Sequence, residues 1–168
     1  MKTLFVLRHA KSSWDDINLS DFDRPLNKRG LETAPRMGEM MYQQDFLPKL
    51  IVSSPAKRAK QTAVLIKETA QISGEIKFDE KIYEASPFRL LQIISKFDEK
   101  FDSAMIIGHN PGFEGLVQML TGKLRAMPTA ALAIIDLNIE KWSDISAESG
   151  TLRKLICPKD DLKSLGVI

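Results

Sequence analysis

The chain has 168 residues, of which 43% are hydrophobic and 27% are charged. This composition is typical of a globular protein and argues against disorder and fibrous repeats. The 24 basic and 22 acidic residues leave a net charge of only +2, so neither nucleic acid nor an anionic membrane is an expected partner. The length, without a linker or an internal repeat, predicts one domain over residues 1–168.

Cysteine content and apolar runs bear on the cellular compartment. The single cysteine, Cys157, cannot form an intramolecular disulfide, which fits a reducing cytoplasm. Only four consecutive apolar residues lead to Arg8 and His9, too few for a signal peptide. The longest apolar run, residues 130–135, is too short to cross a bilayer. We therefore expect a cytoplasmic protein without a membrane segment.

Short apolar runs alternate with longer segments of helical spacing, the pattern of a parallel sheet with helices on its faces. Four strands are predicted at residues 4–7, 50–52, 76–78 and 104–107. Their continuous apolar character predicts that both faces of each strand are covered. Two further runs, 132–137 and 151–157, flank a polar turn and predict an antiparallel edge. The predicted fold class is α/β.

The segment after the first strand predicts a helix whose N-cap is Asn27. Pro35 lies inside this segment, so we expect a kink there or a helix that begins later. Residues with helical spacing form the predicted apolar face: Leu31, Ala34, Gly38 and Met41.

Three further helices are predicted from prolines and capping residues. Ser54 and Pro55 are suited to the N-cap and the first position of a second helix. A third helix is expected from 87 to about 97, and a fourth from 111 to 120 that ends near Gly122.

The two histidines of the chain, His9 and His109, each directly follow a predicted strand. A lone histidine is more often a packed or solvated side chain than a functional one. Ligands of open α/β sheets bind outside the carboxyl ends of the strands, so both imidazoles are expected to face one crevice. Their equivalent positions favour a functional interpretation.

Arginines accompany the first predicted strand end and the start of the second helix. Arg8 precedes His9, and Arg58 lies in the first turn of the helix, where free N–H groups favour an anion. Two guanidinium groups beside a helix N-terminus suit a phosphoryl group. The alternative for Arg58 is a solvated helix face, which becomes less favourable when the histidines converge on the same place.

Other phosphate and hydrolase motifs are missing from the sequence. It contains no Gly-rich loop followed by Lys-Ser/Thr, no Gly-x-Ser-x-Gly elbow and no His-Glu-x-x-His helix. Two histidines and scattered carboxylates have no metal-ligand spacing. We therefore expect no metal and no cofactor, with a histidine as phosphoryl acceptor and arginines that supply positive charge.

Four sequence blocks resemble the histidine phosphatase superfamily, and within it the small SixA-type phosphohistidine phosphatases. They are LRHAKSSW at 7–14, DRPLNKRG at 23–30, SSPAKRAKQTA at 53–63 and GHNPG at 108–112. The resemblance implies a three-layer α/β/α sandwich of the phosphoglycerate mutase-like class, without the insertions that form a lid in the mutases. The resemblance also implies phosphatase activity without a cofactor.

The same resemblance implies roles for individual residues. His9 corresponds to the nucleophile, and Arg8, Arg58 and His109 correspond to residues around the phosphoryl group. A nucleophilic His9 has to be neutral, with its second ring nitrogen held by an acceptor such as a backbone carbonyl. His109 is better suited to donate to a phosphoryl oxygen.

The chain departs from the family pattern at two positions. Ala10 stands where the signature has Gly, which favours the SixA-type branch over the mutases. Asp15 stands where many relatives have a phosphate-binding Asn, and a carboxylate cannot replace that donor. No phosphate-binding role is therefore assigned to Asp15.

The proton donor is predicted from a looser match. Glu84 follows the third strand, near where members of the superfamily often carry an acidic donor. The alternatives are that Glu84 is a solvated loop residue, or that Asp15 or Asp16 is the donor. Two interpretations of Arg24, Lys28 and Arg29 are open: they border the substrate entrance, or they belong to an ordinary charged helix start.

The sequence therefore predicts a metal-independent phosphatase that acts through His9, with phosphohistidine in a protein as the leading substrate. The enzyme alternative is a phosphatase of small metabolite esters that uses the same pocket. The alternative from another class is a non-catalytic phosphate-binding module, against which the paired histidines and arginines argue.

Overall fold

The computed structural model describes residues 1–164 of the chain. The predicted domain, 1–168, therefore includes four residues that lie outside the described part. Within residues 1–164, six strands form one sheet in the order β3-β2-β4-β1-β5-β6. The strands are β1 Lys2–Arg8, β2 Leu50–Ser53, β3 Ile76–Phe78, β4 Ser103–Gly108, β5 Leu132–Leu137 and β6 Gly150–Ile156.

Helices cover both faces of this sheet. The described helices are α1 Lys28–Gln43, α2 Lys57–Ala70, α3 Pro87–Ile94, α4 Gly112–Thr121 and α5 Pro158–Ser164. Buried side chains of α1, α2 and α5 pack on one face, and those of α3 and α4 pack on the other. The predicted three-layer α/β/α sandwich is therefore confirmed.

Strand directions follow the predicted division between a parallel sheet and an antiparallel edge. β4 pairs parallel with β1 and with β2, and β2 pairs parallel with β3. β5 pairs antiparallel with β1, and β6 pairs antiparallel with β5. Residues 4–7 and 104–107 are fully or almost fully buried, as expected for strands covered on both faces.

Three neighbouring strands end side by side, and this positions the site. In the register of the sheet, Arg8 lies opposite Gly108 and Ser53 lies opposite Ile107. The carboxyl ends of β1, β4 and β2 therefore meet at one edge. Residues that follow these strands reach a common crevice, as the rule for open α/β sheets predicts.

The predictions for the first helix are confirmed in part. Asn27 is its N-cap, as predicted, and α1 starts at Lys28 and continues through Pro35, so the alternative of a later start is wrong. Of the predicted apolar face, Ala34, Gly38 and Met41 are buried, whereas Leu31 is 47% exposed because Gly30 takes the buried position beside it.

The second helix and the first edge strand also differ from the prediction. α2 begins at Lys57 with Ala56 rather than Ser54 as its N-cap. The hydroxyl of Ser54 lies against the ring of His109 instead. β3 forms an edge of the sheet and is mostly exposed, so its apolar residues are not covered on both faces.

Later elements agree more closely with the prediction. α3 ends at Ile94 rather than near residue 97, and α4 ends at Thr121 with Gly122 as its C-cap, whose φ of 73° is left-handed. β6 is shifted by one residue toward the N-terminus, and α5 was not predicted. No helix in residues 1–164 is long and apolar enough to cross a membrane.

Candidate active site

The imidazole of His9 lies at the carboxyl end of β1 and is almost completely buried. Its backbone N–H donates to the carbonyl of Gly108, which ties this residue to the end of β4. Its Nδ1 donates to the backbone carbonyl of Ala10 at 2.6 Å. Because Nδ1 carries the proton of the neutral ring, Nε2 keeps an unshared electron pair.

Arg58 lies beside that nitrogen. α2 carries its guanidinium into the crevice, where the residue is 6% exposed and its Nε donates to Nε2 of His9 at 3.4 Å. The guanidinium and the unprotonated imidazole nitrogen are therefore adjacent, although they come from positions that are 49 residues apart. The predicted convergence of Arg58 with the histidines is present in the structure.

Arg8 reaches the site from the opposite face of β1. Its Nη1 donates to the carbonyl of Met127 at 3.1 Å, whereas its buried Nε has no hydrogen-bond partner among the described residues. Burial lowers the pKa of the Arg8 guanidinium, and the nearby carboxylate of Glu114 acts in the opposite direction. A buried donor without a partner is suited to an anionic ligand.

His109 faces His9 across the crevice, and the centroids of the two rings are 5.2 Å apart. Its Nε2 lies 2.8 Å from the hydroxyl oxygen of Ser54, which also accepts from the backbone N–H of Ala56. A neutral ring that accepts the Ser54 hydroxyl at Nε2 carries its proton on Nδ1. This Nδ1 is buried without a partner among the described residues.

Both imidazoles are held in the neutral form. Burial, together with the positive charges of Arg58 and Arg8, lowers the pKa of His9 to about 4, although the hydrogen bond to the Ala10 carbonyl acts in the opposite direction. Burial also lowers the pKa of His109 to about 3, and the adjacent His9 and Arg58 act in the same direction. At neutral pH the site therefore has one imidazole with a free electron pair and a second that can donate a hydrogen bond.

Asp21 connects the cationic residues of the site, and sequence reasoning missed it. Its backbone carbonyl accepts from Nη1 of Arg58 at 2.6 Å, and its carboxylate accepts from Nη2 of Arg58 at 3.0 Å. The same carboxylate accepts from Nη1 of Arg24 at 2.9 Å and from the hydroxyl of Tyr83 at 2.6 Å. An anion at the terminal nitrogens of Arg58 would compete with Asp21 for the positive charge.

The charges in this network are fixed at neutral pH. Burial raises the pKa of the Asp21 carboxyl, but hydrogen bonds from Tyr83, Arg24 and Arg58 outweigh it and lower the pKa to about 2. Burial and the hydrogen bond to Asp21 raise the pKa of Tyr83 to about 12. Asp21 is therefore an ionised acceptor, and Tyr83 is a protonated donor.

Arg24, which the sequence left open, is part of the site. The residue is buried, and its charge contributes to the lowered pKa of His9. Its Nε and Nη2 donate to the carbonyl of Ser13 and the hydroxyl of Ser12, which holds the loop after β1.

The structure does not bring Glu84 into the hydrogen-bond network. Glu84 is exposed, its φ is 57°, and no described residue makes a hydrogen bond or ion pair with its carboxylate. Asp15 and Asp16, the alternatives, are exposed as well, and Asp16 accepts from the backbone N–H of Asn18. The identity of the proton donor stays a prediction.

Local sequence signals gave no indication of Tyr83 and only a weak one of Asp21. The hydrogen bond between them joins residues that are 62 positions apart, and Tyr83 also packs edge-on against His109 with centroids 5.5 Å apart. The spacing of Asp21 and Arg24 was the one available signal. No group of three or more His, Cys, Asp or Glu side chains in the described part of the chain could hold a metal ion.

Comparison with known proteins gives matches in both sequence and structure. A model of the histidine phosphatase superfamily (branch 1) matches residues 4–102. An uncharacterized chloroplastic protein of Arabidopsis thaliana is 32% identical over 96% of this chain and 80% of its own length.

Solved structures share the fold over nearly the whole chain. A candidate phosphohistidine phosphatase, SixA, from Agrobacterium tumefaciens is 26% identical, with a TM-score of 0.81 over 94% of this chain and 98% of its own. A protein histidine phosphatase SixA complexed with tungstate is 22% identical, with a TM-score of 0.82 over the same shares of the two chains.

The predicted phosphoglycerate mutase-like fold class is confirmed by these matches. Since the family model covers more than half of the residues, the chain belongs to the histidine phosphatase superfamily.

Proposed function

We propose that this protein is a metal-independent phosphatase that acts on phosphohistidine in proteins, with His9 as the covalent nucleophile. The orientation of the His9 ring is the observation that carries the proposal. The carbonyl of Ala10 holds Nδ1, and the unprotonated Nε2 receives only a long hydrogen bond, of 3.4 Å, from Nε of Arg58. A neutral imidazole with one nitrogen fixed and the other available is what nucleophilic attack requires.

In the first step, Nε2 of His9 attacks phosphorus, a nitrogen–phosphorus bond forms, and the bond to the leaving group breaks with its electron pair going to that group. Arg8 and Arg58 offset the negative charge on the equatorial oxygens. The N–H of His109 donates to one of these oxygens. Water then attacks the phosphorus of phosphorylated His9, the nitrogen–phosphorus bond breaks with its electron pair returning to Nε2, and a proton of the water leaves with inorganic phosphate, so the imidazole is neutral again.

The nature of the leaving group favours phosphohistidine over alkyl esters. An alkoxide needs protonation as it departs, so ester cleavage depends strongly on a well-placed acid. Glu84, the predicted donor, is exposed and has no hydrogen bond in the described structure. A protonated imidazole leaves more readily, so a site with an exposed or remote acid is better suited to phosphohistidine.

The relatives support the same substrate class. Two of the structures that share this fold carry the names phosphohistidine phosphatase and protein histidine phosphatase. A cytoplasmic location and the single domain over residues 1–168 stay predictions from the sequence.

The test is a ranking of substrates by kcat/KM. A phosphohistidine protein, a phosphohistidine peptide, a sugar phosphate and a chromogenic aryl phosphate are assayed with the wild-type protein in the presence of a chelator. We expect turnover of the phosphohistidine substrates to be fastest. Efficient cleavage of the sugar phosphate with negligible action on phosphohistidine would favour the metabolite phosphatase instead.

A further inference from the structure

A basic cavity adjoins the segment that follows His9. It has a volume of about 420 Å³, and its wall includes Pro128, Thr129 and Ala130. Four cationic side chains from separate parts of the chain line it; we call this set the basic groove: Lys11, Arg29, Arg36 and Lys159. The groove is not part of the network around His9, His109 and Asp21.

The four cations have no internal counterions. All four residues are exposed, and none of their side chains makes an ion pair or hydrogen bond with another described residue. Glu32 is the one carboxylate among the described residues that line the cavity. In a protein with a net charge of only +2, four cations and one carboxylate around one cavity create a local positive field.

The groove lies close to the nucleophile. Lys11 is two residues beyond His9, and the backbone N–H of Ala130 in the cavity wall donates to the carbonyl of His9 at 2.9 Å. Since an extended chain advances about 3.3–3.6 Å per residue, Lys11 begins within roughly 7 Å of the His9 backbone. A few residues that flank a phosphohistidine in the site are enough to reach the groove.

The border of the groove favours a protein ligand over a small molecule. A neighbouring depression shares Lys11 and Arg29 with the groove and is also lined by Trp14. Trp14 is 74% exposed and stacks against the guanidinium of Arg24 at 3.2 Å, and nearby in the same loop Ile17 is 91% exposed. Exposed aromatic and aliphatic side chains beside unpaired cations are typical of protein interfaces.

We propose that the basic groove binds glutamate and aspartate side chains on the protein that carries the phosphohistidine. This proposal rests on the proposed function and specifies its substrate: a phosphohistidine in an acidic protein surface. The groove supplies electrostatic complementarity, which accelerates association and selects partners without taking part in the chemistry.

The test uses two synthetic phosphohistidine peptides and a chromogenic aryl phosphate. One peptide has glutamates at the second to fifth positions on both sides of the phosphohistidine, and the other has serines there. For the wild-type protein we expect kcat/KM to be about tenfold higher for the acidic peptide, mainly through a lower KM. Raising the salt concentration should reduce this preference.

Two variants of α1 test the groove directly. Arg29→Glu combined with Arg36→Glu should abolish the preference for the acidic peptide, while turnover of the aryl phosphate changes less than about twofold. Glu32→Gln removes the one described carboxylate from the cavity and should increase the preference. All three positions are exposed on α1, so the fold is expected to tolerate these changes.

A matched control reverses two exposed cations at the opposite end of the sheet. Lys49 directly precedes β2. Lys141 follows β5, whose last residue, Leu137, pairs with Lys2 at the amino end of β1. Lys49→Glu combined with Lys141→Glu makes the same change in net charge as the groove variant. It should keep the preference for the acidic peptide.

The possible outcomes separate the two proposals. An unchanged preference in the groove variant, an equal loss in the control variant, or an equal loss with the aryl phosphate would each overturn the role of the groove. If the wild-type protein cleaves the aryl phosphate but neither peptide, the phosphohistidine function is wrong and the groove proposal falls with it.

Discussion

At the scale of single residues, the site depends on which nitrogen or guanidinium edge is already occupied. Ala10 holds one nitrogen of His9, and Asp21 holds the terminal nitrogens of Arg58. The Nε of Arg58 is thereby directed at the free nitrogen of His9. A planar guanidinium can satisfy both contacts at once, whereas a single ammonium cannot.

Arg58→Lys is therefore expected to lower kcat/KM by a factor on the order of 10²–10³, the cost of removing one preorganised charge donor. Steady-state kinetics with a phosphohistidine peptide measure this loss. Lys57→Arg, an exposed neighbour, is the control and should have little effect. Near-normal kcat/KM in Arg58→Lys would show that the planar guanidinium is not required.

Glu84→Gln tests the predicted proton donor. Because an alkoxide needs protonation more than an imidazole does, the substitution should slow cleavage of an alkyl phosphate more than cleavage of phosphohistidine. The measurement is the ratio of kcat/KM for the alkyl phosphate to kcat/KM for phosphohistidine, determined for the variant and for the wild-type protein. If each substrate has the same kcat/KM with the variant as with the wild-type protein, Glu84 has no part in the mechanism.

At the scale of elements, close contact between α1 and the segment after β1 holds the site in place. The side chain of Asn27 caps α1 at Gly30, and the N–H of Asn27 donates to the carbonyl of Lys11. A Cβ added to Gly30 would lie 2.2 Å from that carbonyl oxygen. Both contacting groups are backbone, so neither can move without shifting the chain that follows His9.

Gly30→Ala is therefore expected to reduce the free energy of unfolding by about 1–3 kcal/mol, the usual cost of overpacking, and to lower activity as well. Urea denaturation and the peptide assay measure the two effects. Glu39→Ala, on the exposed face of the same helix, should change stability by less than about 0.5 kcal/mol. Wild-type stability in Gly30→Ala would contradict the contact.

Sequence patterns predicted elements whose residues are set by local constraints. The continuous apolar runs identified β1, β2 and β4 because both faces of these strands are buried. The same pattern located β3 correctly but wrongly predicted that both of its faces are covered, because its position at the edge depends on the order of strands rather than on its own residues. Leu31 has correct helical spacing but is exposed, because Gly30 takes the close contact.

The residues of the site likewise differ in whether a local signal predicts them. His9, His109, Arg8 and Arg58 were predicted because each lies at a strand end or a helix start. Asp21 and Tyr83 enter through contacts between distant positions, which spacing does not encode. Ser54 has the residue type of a helix cap but lies against His109, so the tertiary contact overrides the local preference.

At the scale of the whole molecule, the two neutral histidines couple stability to pH. Histidine in an unfolded chain has a pKa of about 6.5. In the fold the pKa is about 4 for His9 and about 3 for His109. Between pH 6.5 and about 4 the unfolded chain therefore binds more protons, and the free energy of unfolding falls as the pH is lowered.

Urea denaturation at pH 7, 6, 5 and 4.5 should show this decrease, on the order of 1 kcal/mol per pH unit within the window. The double variant His9→Ala/His109→Ala lacks both titrating groups, so its stability should depend less steeply on pH there. Identical slopes for the variant and the wild type would contradict burial of the neutral imidazoles.

The central claim is that His9 becomes phosphorylated during turnover. A phosphohistidine peptide with radiolabelled phosphate is mixed with the protein, quenched within milliseconds under alkaline conditions, and the protein is separated and analysed for label. We predict a base-stable, acid-labile label on His9, formed and lost at rates consistent with turnover, and no label on folded His9→Ala. Turnover without any labelled wild-type protein, or undiminished turnover by His9→Ala, would contradict covalent catalysis by His9.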